Sequence, residues 1–251
     1  MRDPRENLEN PNEDRREPAA HHTLLHQKLK ASFAPTYMTA LSVIQGVALA
    51  DLGAVVAANH AEFSLEQWLL AALSLATLIL VWDAYTTLST LWDWVQDLRD
   101  AAIPFVFGAL ELFLNHSIVL SLSSWLLALA LLAAAAVLTN WYSGWRAAEE
   151  AENSRLLGLL SGSGRSTLLY TIGLSLFLFL LAAVSQVGGV EATESVRAGQ
   201  SPLALVVALL AGAGLGIFAY LNLRNWRQVI VYARTGRRPT QTLGDRGEVV
   251  E

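Results

Sequence analysis

The chain has 251 residues, of which 53% are hydrophobic and 16% are charged, with a formal net charge of −5 and no cysteine. Soluble domains carry about a quarter charged residues, so this composition excludes an ordinary soluble protein and favours an integral membrane protein. Without cysteine the chain can form no disulfide framework, no thiolate metal site and no cysteine nucleophile. We expect no nucleic-acid partner.

The first 30 residues are dominated by charged side chains, Asn and Pro. Such a segment cannot bury enough apolar surface to fold alone. It also lacks the short basic start and apolar stretch of a cleaved signal peptide. We therefore expect residues 1–30 to be a disordered cytoplasmic tail, and the first hydrophobic helix to direct insertion into the membrane.

Hydrophobic segments long enough to cross a bilayer follow this tail. A hydrocarbon core of about 30 Å needs about 20 apolar residues in helical conformation. The six segments that meet this length are residues 34–58, 66–90, 101–120, 124–145, 167–187 and 202–222. The sequence therefore predicts an all-α polytopic membrane protein, a six-helix transmembrane bundle within residues 31–222. The second and third helices are separated by the charged stretch 91–100.

The basic residues predict the orientation of the bundle. Those near the helices lie mostly before the first helix, between the second and third, between the fourth and fifth, and after the sixth, at Lys28, Lys30, Arg99, Arg146, Arg155, Arg165, Arg224, Arg227, Arg234, Arg237 and Arg238. The other connections hold Arg197 and no further basic residue. Loops that stay in the cytoplasm retain Lys and Arg. Both termini are therefore predicted to be cytoplasmic, with the protein in the plasma (inner) membrane.

The segment after the sixth helix is amphipathic. Within residues 223–235, apolar side chains can share one side while the arginines lie away from it. This pattern is typical of a helix that lies in the headgroup region and is attracted to anionic lipids. We expect residues 223–235 to form such an interfacial helix and residues 236–251 to form a flexible tail.

Three carboxylates lie inside the hydrophobic segments, where no Lys or Arg accompanies them. They are Asp51, Asp83 and Glu111. A charged side chain in hydrocarbon is costly, and such residues usually face a bundle interior or a water-filled cavity. Each acid is therefore expected to be protonated, bound to a cation, hydrogen-bonded, or paired with a base from a helix end.

The third helix carries the most informative polar stripe. Asp100, Glu111 and Asn115 fall on one helical face, with His116 beside it. At about 1.5 Å per residue, Glu111 lies near mid-membrane, about 16 Å from Asp100. This face is what a path for protons or cations would need. The alternative interpretation is that Glu111 and Asn115 only hold helices together by hydrogen bonds.

The other two acids have different expected surroundings. Asp51 lies in the outer third of the first helix, where it can stay hydrated or reach His60 or His116. Asp83 lies in the inner third of the second helix, where it can pair with Arg99 or belong to a polar vestibule. We include both in the candidate ion pathway.

Two further sets of residues carry weaker predictions. In the sixth helix, Ala208, Gly212 and Gly216 recur at a spacing of four, which allows close helix packing within the subunit or between subunits. Closely spaced acids at a cytoplasmic surface can hold a divalent ion with substrate phosphates. The weak metal candidates of this kind are Asp93, Asp97 and Asp100.

These residues favour a homo-oligomeric channel or transporter that passes protons or small cations along the third helix. The alternative is a membrane assembly or interaction subunit without transport activity. A divalent-dependent, lipid-modifying enzyme is the weakest hypothesis, so we do not expect an enzyme. The expected partners are the lipid bilayer, further copies of the chain, and protons or small cations. We expect no cofactor.

Overall fold

The computed structural model describes the backbone of residues 13–91, 98–149, 154–187 and 202–235. Side chains are described for residues 35–87, 89, 99–149, 165–186 and 205–231. Throughout these ranges the regular structure is α-helical, and six helices are long and apolar enough to cross a membrane. They are α1 (Glu13–Asn59), α2 (Leu65–Leu91), α3 (Leu98–Leu120), α4 (Leu122–Glu149), α5 (Ser154–Val187) and α6 (Pro202–Thr235).

The predicted fold class is confirmed. The apolar spans within the helices are Pro35–Asn59, Leu65–Thr87, Arg99–Leu120, Leu122–Glu149, Arg165–Gln186 and Leu205–Val231. These spans differ from the predicted segments by only a few residues at most ends, because the length of an apolar run decides whether a helix can cross the bilayer. Most of the predicted connection 91–100 falls outside the described residues.

The helices extend beyond the predicted segments at two ends of the bundle. Helix α1 begins at Glu13, so helical backbone occupies most of the segment expected to be a disordered tail. Residues 19–31 are rich in Ala, Leu, Gln and Lys, which are strong helix formers. Residues 1–12 and 236–251 lie outside the described part of the chain.

Helix α6 also continues where a separate interfacial helix was expected. It runs without a break through residue 223 to Thr235, because no Gly or Pro occurs between Gly216 and Gly236. Trp226 and Val229 lie against a cavity inside the bundle. The start of the segment 223–235 therefore belongs to the bundle.

Side-chain caps define the start of two helices. Ser64 and Gln67 form a capping box before α2: the Gln67 N–H donates to Ser64 Oγ at 3.3 Å, and the Ser64 N–H donates to Gln67 Oε1 at 3.0 Å. Ser121 precedes α4, and its Oγ accepts a hydrogen bond from the Ser124 N–H at 3.1 Å. These caps satisfy N–H groups that the first turn of a helix leaves unbonded.

Helices α1 and α3 run parallel and lie side by side. Their interhelical hydrogen bonds join residues 64 to 67 positions apart in the sequence, which keeps the two helices in a constant register. Close approach depends on Gly108 in α3, since a Cβ atom there would collide with Cγ2 of Ile44 in α1. Gly108 therefore sets the short distance across which polar side chains of the two helices meet.

The small residues of α6 serve different neighbours. Ala208 is buried, and a Cβ on Gly212 would lie 3.0 Å from a methyl group of Leu73 in α2. By contrast, nothing lies within 4 Å of the position a Cβ would take on Gly216. Ala208 and Gly212 thus lie in contacts inside the subunit, whereas Gly216 faces outward.

Candidate functional site

A line of polar side chains crosses the interface between α1 and α3. It consists of Gln45 and Asp51 from α1 and Glu111, Asn115 and His116 from α3, and we call it the α1–α3 polar seam. Glu111 is at its centre and has no exposed surface. The Nε2 group of Gln45 donates to both carboxyl oxygens of Glu111, at 2.7 and 2.9 Å. A carboxyl group at mid-membrane is thus held by an amide of the same subunit.

Asn115 lies one turn further along α3 and is also fully buried. Its Nδ2 group donates to the backbone oxygen of Ala48 at 2.9 Å and to Asp51 Oδ2 at 3.1 Å. Its Oδ1 atom is buried and has no hydrogen-bond partner among the residues that the structure describes. Buried polar atoms are nearly always hydrogen-bonded, so this oxygen is an acceptor suited to a proton donor such as water.

Asp51 and His116 form the end of the polar seam that opens to the surface. His116 Nε2 lies 3.2 Å from Asp51 Oδ1, and the two side chains are 61% and 20% exposed. Asp51 therefore contacts an exposed imidazole with one oxygen and the buried Asn115 with the other. The pair therefore joins the buried part of the seam to a side chain that is exposed at the surface.

On the opposite side of Glu111 lies an aromatic cluster. Tyr85 of α2 packs edge-on against Phe107, with ring centroids 5.1 Å apart, and against Tyr37 at 5.9 Å. Phe107 precedes Glu111 by one turn of α3, so Tyr85 packs beside the turn before the one that carries the carboxyl group. Its hydroxyl is buried without a hydrogen-bond partner among the described side chains. Tyr85 also lines a cavity, described below.

The contacts around Glu111 are those of a hydrogen-bonded carboxyl group and not those of a metal ligand. Cations such as Ca²⁺ and Mg²⁺ require several oxygen ligands, whereas the Glu111 oxygens here face amide N–H groups. An amide can present either N–H or C=O, and a rotated Gln45 would accept from a protonated carboxyl. Gln45 can thus bind both protonation states of Glu111.

The remaining predicted pathway residues lie apart from the polar seam. Asp100 is buried in the first turn of α3, where a carboxylate interacts favourably with the helix dipole. Asp83 is exposed and lines the cavity, and no ion pair joins it to Arg99 in the described part of the chain. The structure therefore places Glu111, Asn115, Asp51 and His116 together and keeps Asp83 and Asp100 separate.

The weak metal site lies mostly beyond the described residues. Asp93 and Asp97 fall in the undescribed stretch before α3. Among the side chains that are described, no three His, Asp or Glu residues lie together as a metal site. The divalent-ion hypothesis therefore stays a prediction.

A cavity of about 380 Å³ lies between α2, α4, α5 and α6, with Tyr85 and Phe107 in its wall. Its polar lining residues lie near the end of α2, the end of α4, the start of α5 and the end of α6. Because alternate helices run in opposite directions, these four positions lie at one side of the membrane, the side predicted to be cytoplasmic. The opposite end of the cavity is lined by leucines and is apolar.

Sequence reasoning missed two residues of the site. Gln45 stands out as an amide in an apolar span, but six residues separate it from Asp51, which places the two off a common helical face. Tyr85 resembles any aromatic core residue, and only its unbonded hydroxyl singles it out. Both depend on contacts between helices, which the sequence alone does not fix.

Comparisons of the chain with protein-family models, with curated proteins and with solved structures found no match. Its function is therefore inferred from the geometry of the polar seam and of the cavity.

Proposed function

We propose that this integral membrane protein moves protons across the bilayer along the α1–α3 polar seam, with Glu111 as the central proton-binding group. One observation carries the proposal. Glu111 is fully buried and bound by Gln45. One turn away on either side of it, Asn115 and the Tyr85 ring that packs on Phe107 each carry a buried polar atom, Asn115 Oδ1 and the Tyr85 hydroxyl, without a hydrogen-bond partner among the described residues.

The outer half of the route is supported by direct contacts. A proton enters at the exposed pair of His116 and Asp51, whose atoms are 3.2 Å apart. Asp51 accepts a hydrogen bond from Asn115, one helical turn or about 6 Å from Glu111 along α3. A water molecule bound to Asn115 Oδ1 would span this turn and deliver the proton to Glu111.

The inner half of the route passes through Tyr85. The phenol takes a proton from Glu111 while it releases its own to water in the cavity, so the tyrosine stays neutral after each transfer. This step is supported by the packing of Tyr85 on Phe107, one turn from Glu111 on α3, by its unbonded hydroxyl, and by its place in the cavity wall. The cavity then leads to the side predicted to be cytoplasmic.

The burial of Glu111 favours a route inside one subunit. A pore on an oligomer axis would expose its lining on the surface of the isolated chain, and Glu111 has no exposed area there. We propose protons as the transported species, and small cations are the less favoured alternative. The homo-oligomer expected from the sequence stays a prediction that this route does not require.

The test is proton flux in liposomes that contain the purified protein. A potassium gradient with valinomycin sets the membrane potential, and an internal pH-sensitive dye reports proton entry. We expect flux with the natural chain, none above protein-free liposomes with Glu111→Gln, and normal flux with Glu62→Gln. The control makes the same chemical change at an exposed glutamate in the connection between α1 and α2.

Other outcomes would reject the proposal. Equal flux in the natural chain and in Glu111→Gln would remove Glu111 from the route. No flux of any cation through correctly folded protein would favour the assembly or interaction subunit instead, with the polar seam acting only as hydrogen-bonded contacts between helices. Flux of K⁺ or Na⁺ that Glu111→Gln abolishes would favour the cation alternative over protons.

A further inference from the structure

We infer that the inner cavity binds a zwitterionic amphiphile with a single apolar chain, its amine at Asp83 and its phosphate at Arg165. The inference concerns the cavity and does not rest on proton movement. An amphiphile bound there would displace the cavity water that the inner half of the proposed proton route uses, so that route would be open only while the cavity is empty. Three features of the cavity support it: an acid and a base at one end, a buried donor without an acceptor at the same end, and an apolar wall at the other end.

The polar end of the cavity carries one acid and one base that do not bond to each other. Asp83 projects from α2 and Arg165 from α5, and both are exposed and line the cavity. Neither has an ion pair among the side chains that the structure describes. A head group with a positive and a negative charge complements both residues, whereas a purely anionic head group would be repelled by Asp83.

A buried donor at the same end of the cavity lacks an acceptor. Asn222 of α6 lines the cavity, and its Nδ2 atom is buried without a hydrogen-bond partner in the described part of the chain. Buried donors are nearly always hydrogen-bonded, because an unbonded one has lost its bonds to water without replacement. A phosphate or ester oxygen of the amphiphile would accept this hydrogen bond.

The deeper part of the cavity is apolar. Leu132, Leu178 and Leu215 line it and are almost completely buried. Arg165 and Leu178 lie 13 residues apart on α5, so the cavity extends about 20 Å from its charged end to its apolar end. A water-soluble zwitterion would leave this apolar wall unused, whereas an acyl chain would cover it.

The volume limits the occupant. At about 380 Å³, the cavity lies near the lower end of the range of about 300–1,000 Å³ for small-molecule sites. One chain with its head group suits this volume better than a lipid with two chains. The occupant is therefore inferred to be of the lysophosphatidylethanolamine type, which combines an amine, a phosphate and one acyl chain.

The test measures binding of radiolabelled lysophosphatidylethanolamine to the purified full-length protein in a neutral detergent. We expect saturable binding of one molecule per chain. Arg165→Gln should weaken it about tenfold or more, since a charge-assisted hydrogen bond is lost. Asp83→Asn should lower the affinity for lysophosphatidylethanolamine to a similar extent. The same variant should bind lysophosphatidic acid, which has no amine, as tightly as the natural chain or more tightly.

A matched pair of variants tests the apolar part. Ala136 lines the cavity, whereas Ala183 of α5 is exposed on the outside of the bundle. Ala136→Phe should abolish binding by filling the cavity, and Ala183→Phe should leave it intact. The head group alone, phosphoethanolamine, should compete only weakly.

Three results would overturn the inference. These are equal binding in Asp83→Asn, Arg165→Gln and the natural chain, competition by phosphoethanolamine as strong as that of the intact amphiphile, and unaltered binding in a folded Ala136→Phe variant. None of these measurements uses a proton gradient, so a failure here leaves the flux experiment unaffected, and the reverse also holds.

Discussion

Gln45 and Glu111 face each other across two parallel helices, and a single amide nitrogen donates to both oxygens of the carboxyl group, at 2.7 and 2.9 Å. Both side chains are buried, and the contact joins residues 66 positions apart in the sequence. Hydrogen bonds to a charged or ionisable group contribute more than neutral pairs do. This contact is therefore a main determinant of how α1 and α3 fit together.

Replacing Gln45 by Leu should destabilise the protein by leaving Glu111 buried without its donor. We expect a loss of about 1–3 kcal/mol in the free energy of unfolding, measured by denaturant unfolding in detergent. The double variant Gln45→Leu/Glu111→Leu should recover most of that loss, because neither partner then remains unbonded. If the double variant is as unstable as the single one, the loss comes from altered packing and not from a carboxyl group left without its donor.

Gly108→Ala should push α1 and α3 apart. The added methyl group would collide with Ile44 Cγ2, and overpacking of this kind costs about 1–3 kcal/mol. Ile44→Ala in the same chain should restore stability by removing the obstructing atom. Gly46→Ala is the matched control: nothing lies within 4 Å of its added methyl group, so this change should stabilise α1 slightly. Thermal unfolding of these three variants and of the natural chain distinguishes these effects.

Tyr85→Phe should distinguish the role of the Tyr85 ring in packing from the role of its hydroxyl in proton transfer. The ring keeps its contacts with Tyr37 and Phe107, and the hydroxyl that is lost has no hydrogen-bond partner among the described residues. We therefore expect unchanged or slightly higher stability together with a loss of proton flux in liposomes.

Tyr170→Phe provides the opposite control for that experiment. The Tyr170 hydroxyl donates to the backbone oxygen of Gly214 at 2.7 Å. Its removal should lower stability by about 1 kcal/mol and leave flux per folded molecule unchanged. If Tyr85→Phe conducts as well as Tyr170→Phe, the inner half of the proposed route is wrong.

The predicted orientation is testable because the chain has no native cysteine. A single cysteine at Glu62 lies in the connection between α1 and α2, and one at Glu149 lies at the end of α4. In intact cells a membrane-impermeant maleimide should label Glu62→Cys, and it should label Glu149→Cys only after permeabilisation. The reverse pattern would place both termini outside.

The six spans were predictable because each depends on a local property, the length of an apolar run. The surroundings of individual side chains were less predictable. Trp125 near the start of α4 resembles an interfacial anchor in the sequence. In the structure it is fully buried, and its indole N–H donates to Ser74 Oγ at 2.9 Å. Which other helix packs against a side chain is a property of the tertiary structure, and the sequence pattern of one helix does not determine it.

The candidate site illustrates the same limit. Glu111 and Asn115 stood out because polar residues are rare in apolar spans, and the structure brings Asp51 and His116 to them. The cavity could not be foreseen, since its lining comes from residues far apart in the sequence. Asp83, which the sequence placed beside Arg99 or in a polar vestibule, lies at the rim of that cavity.

The parallel register of α1 and α3 has a consequence for how the protein is made. As the chain is synthesised, α3 enters the membrane after α1 and α2, and Glu111 is a costly residue to insert at mid-membrane. Gln45 is already in the bilayer at that moment and offers the carboxyl group its hydrogen-bond partner. A ribosome-bound chain that carries Gln45→Leu should therefore insert its third helix less efficiently. This defect would arise during synthesis and would be separate from any loss of stability in the folded protein.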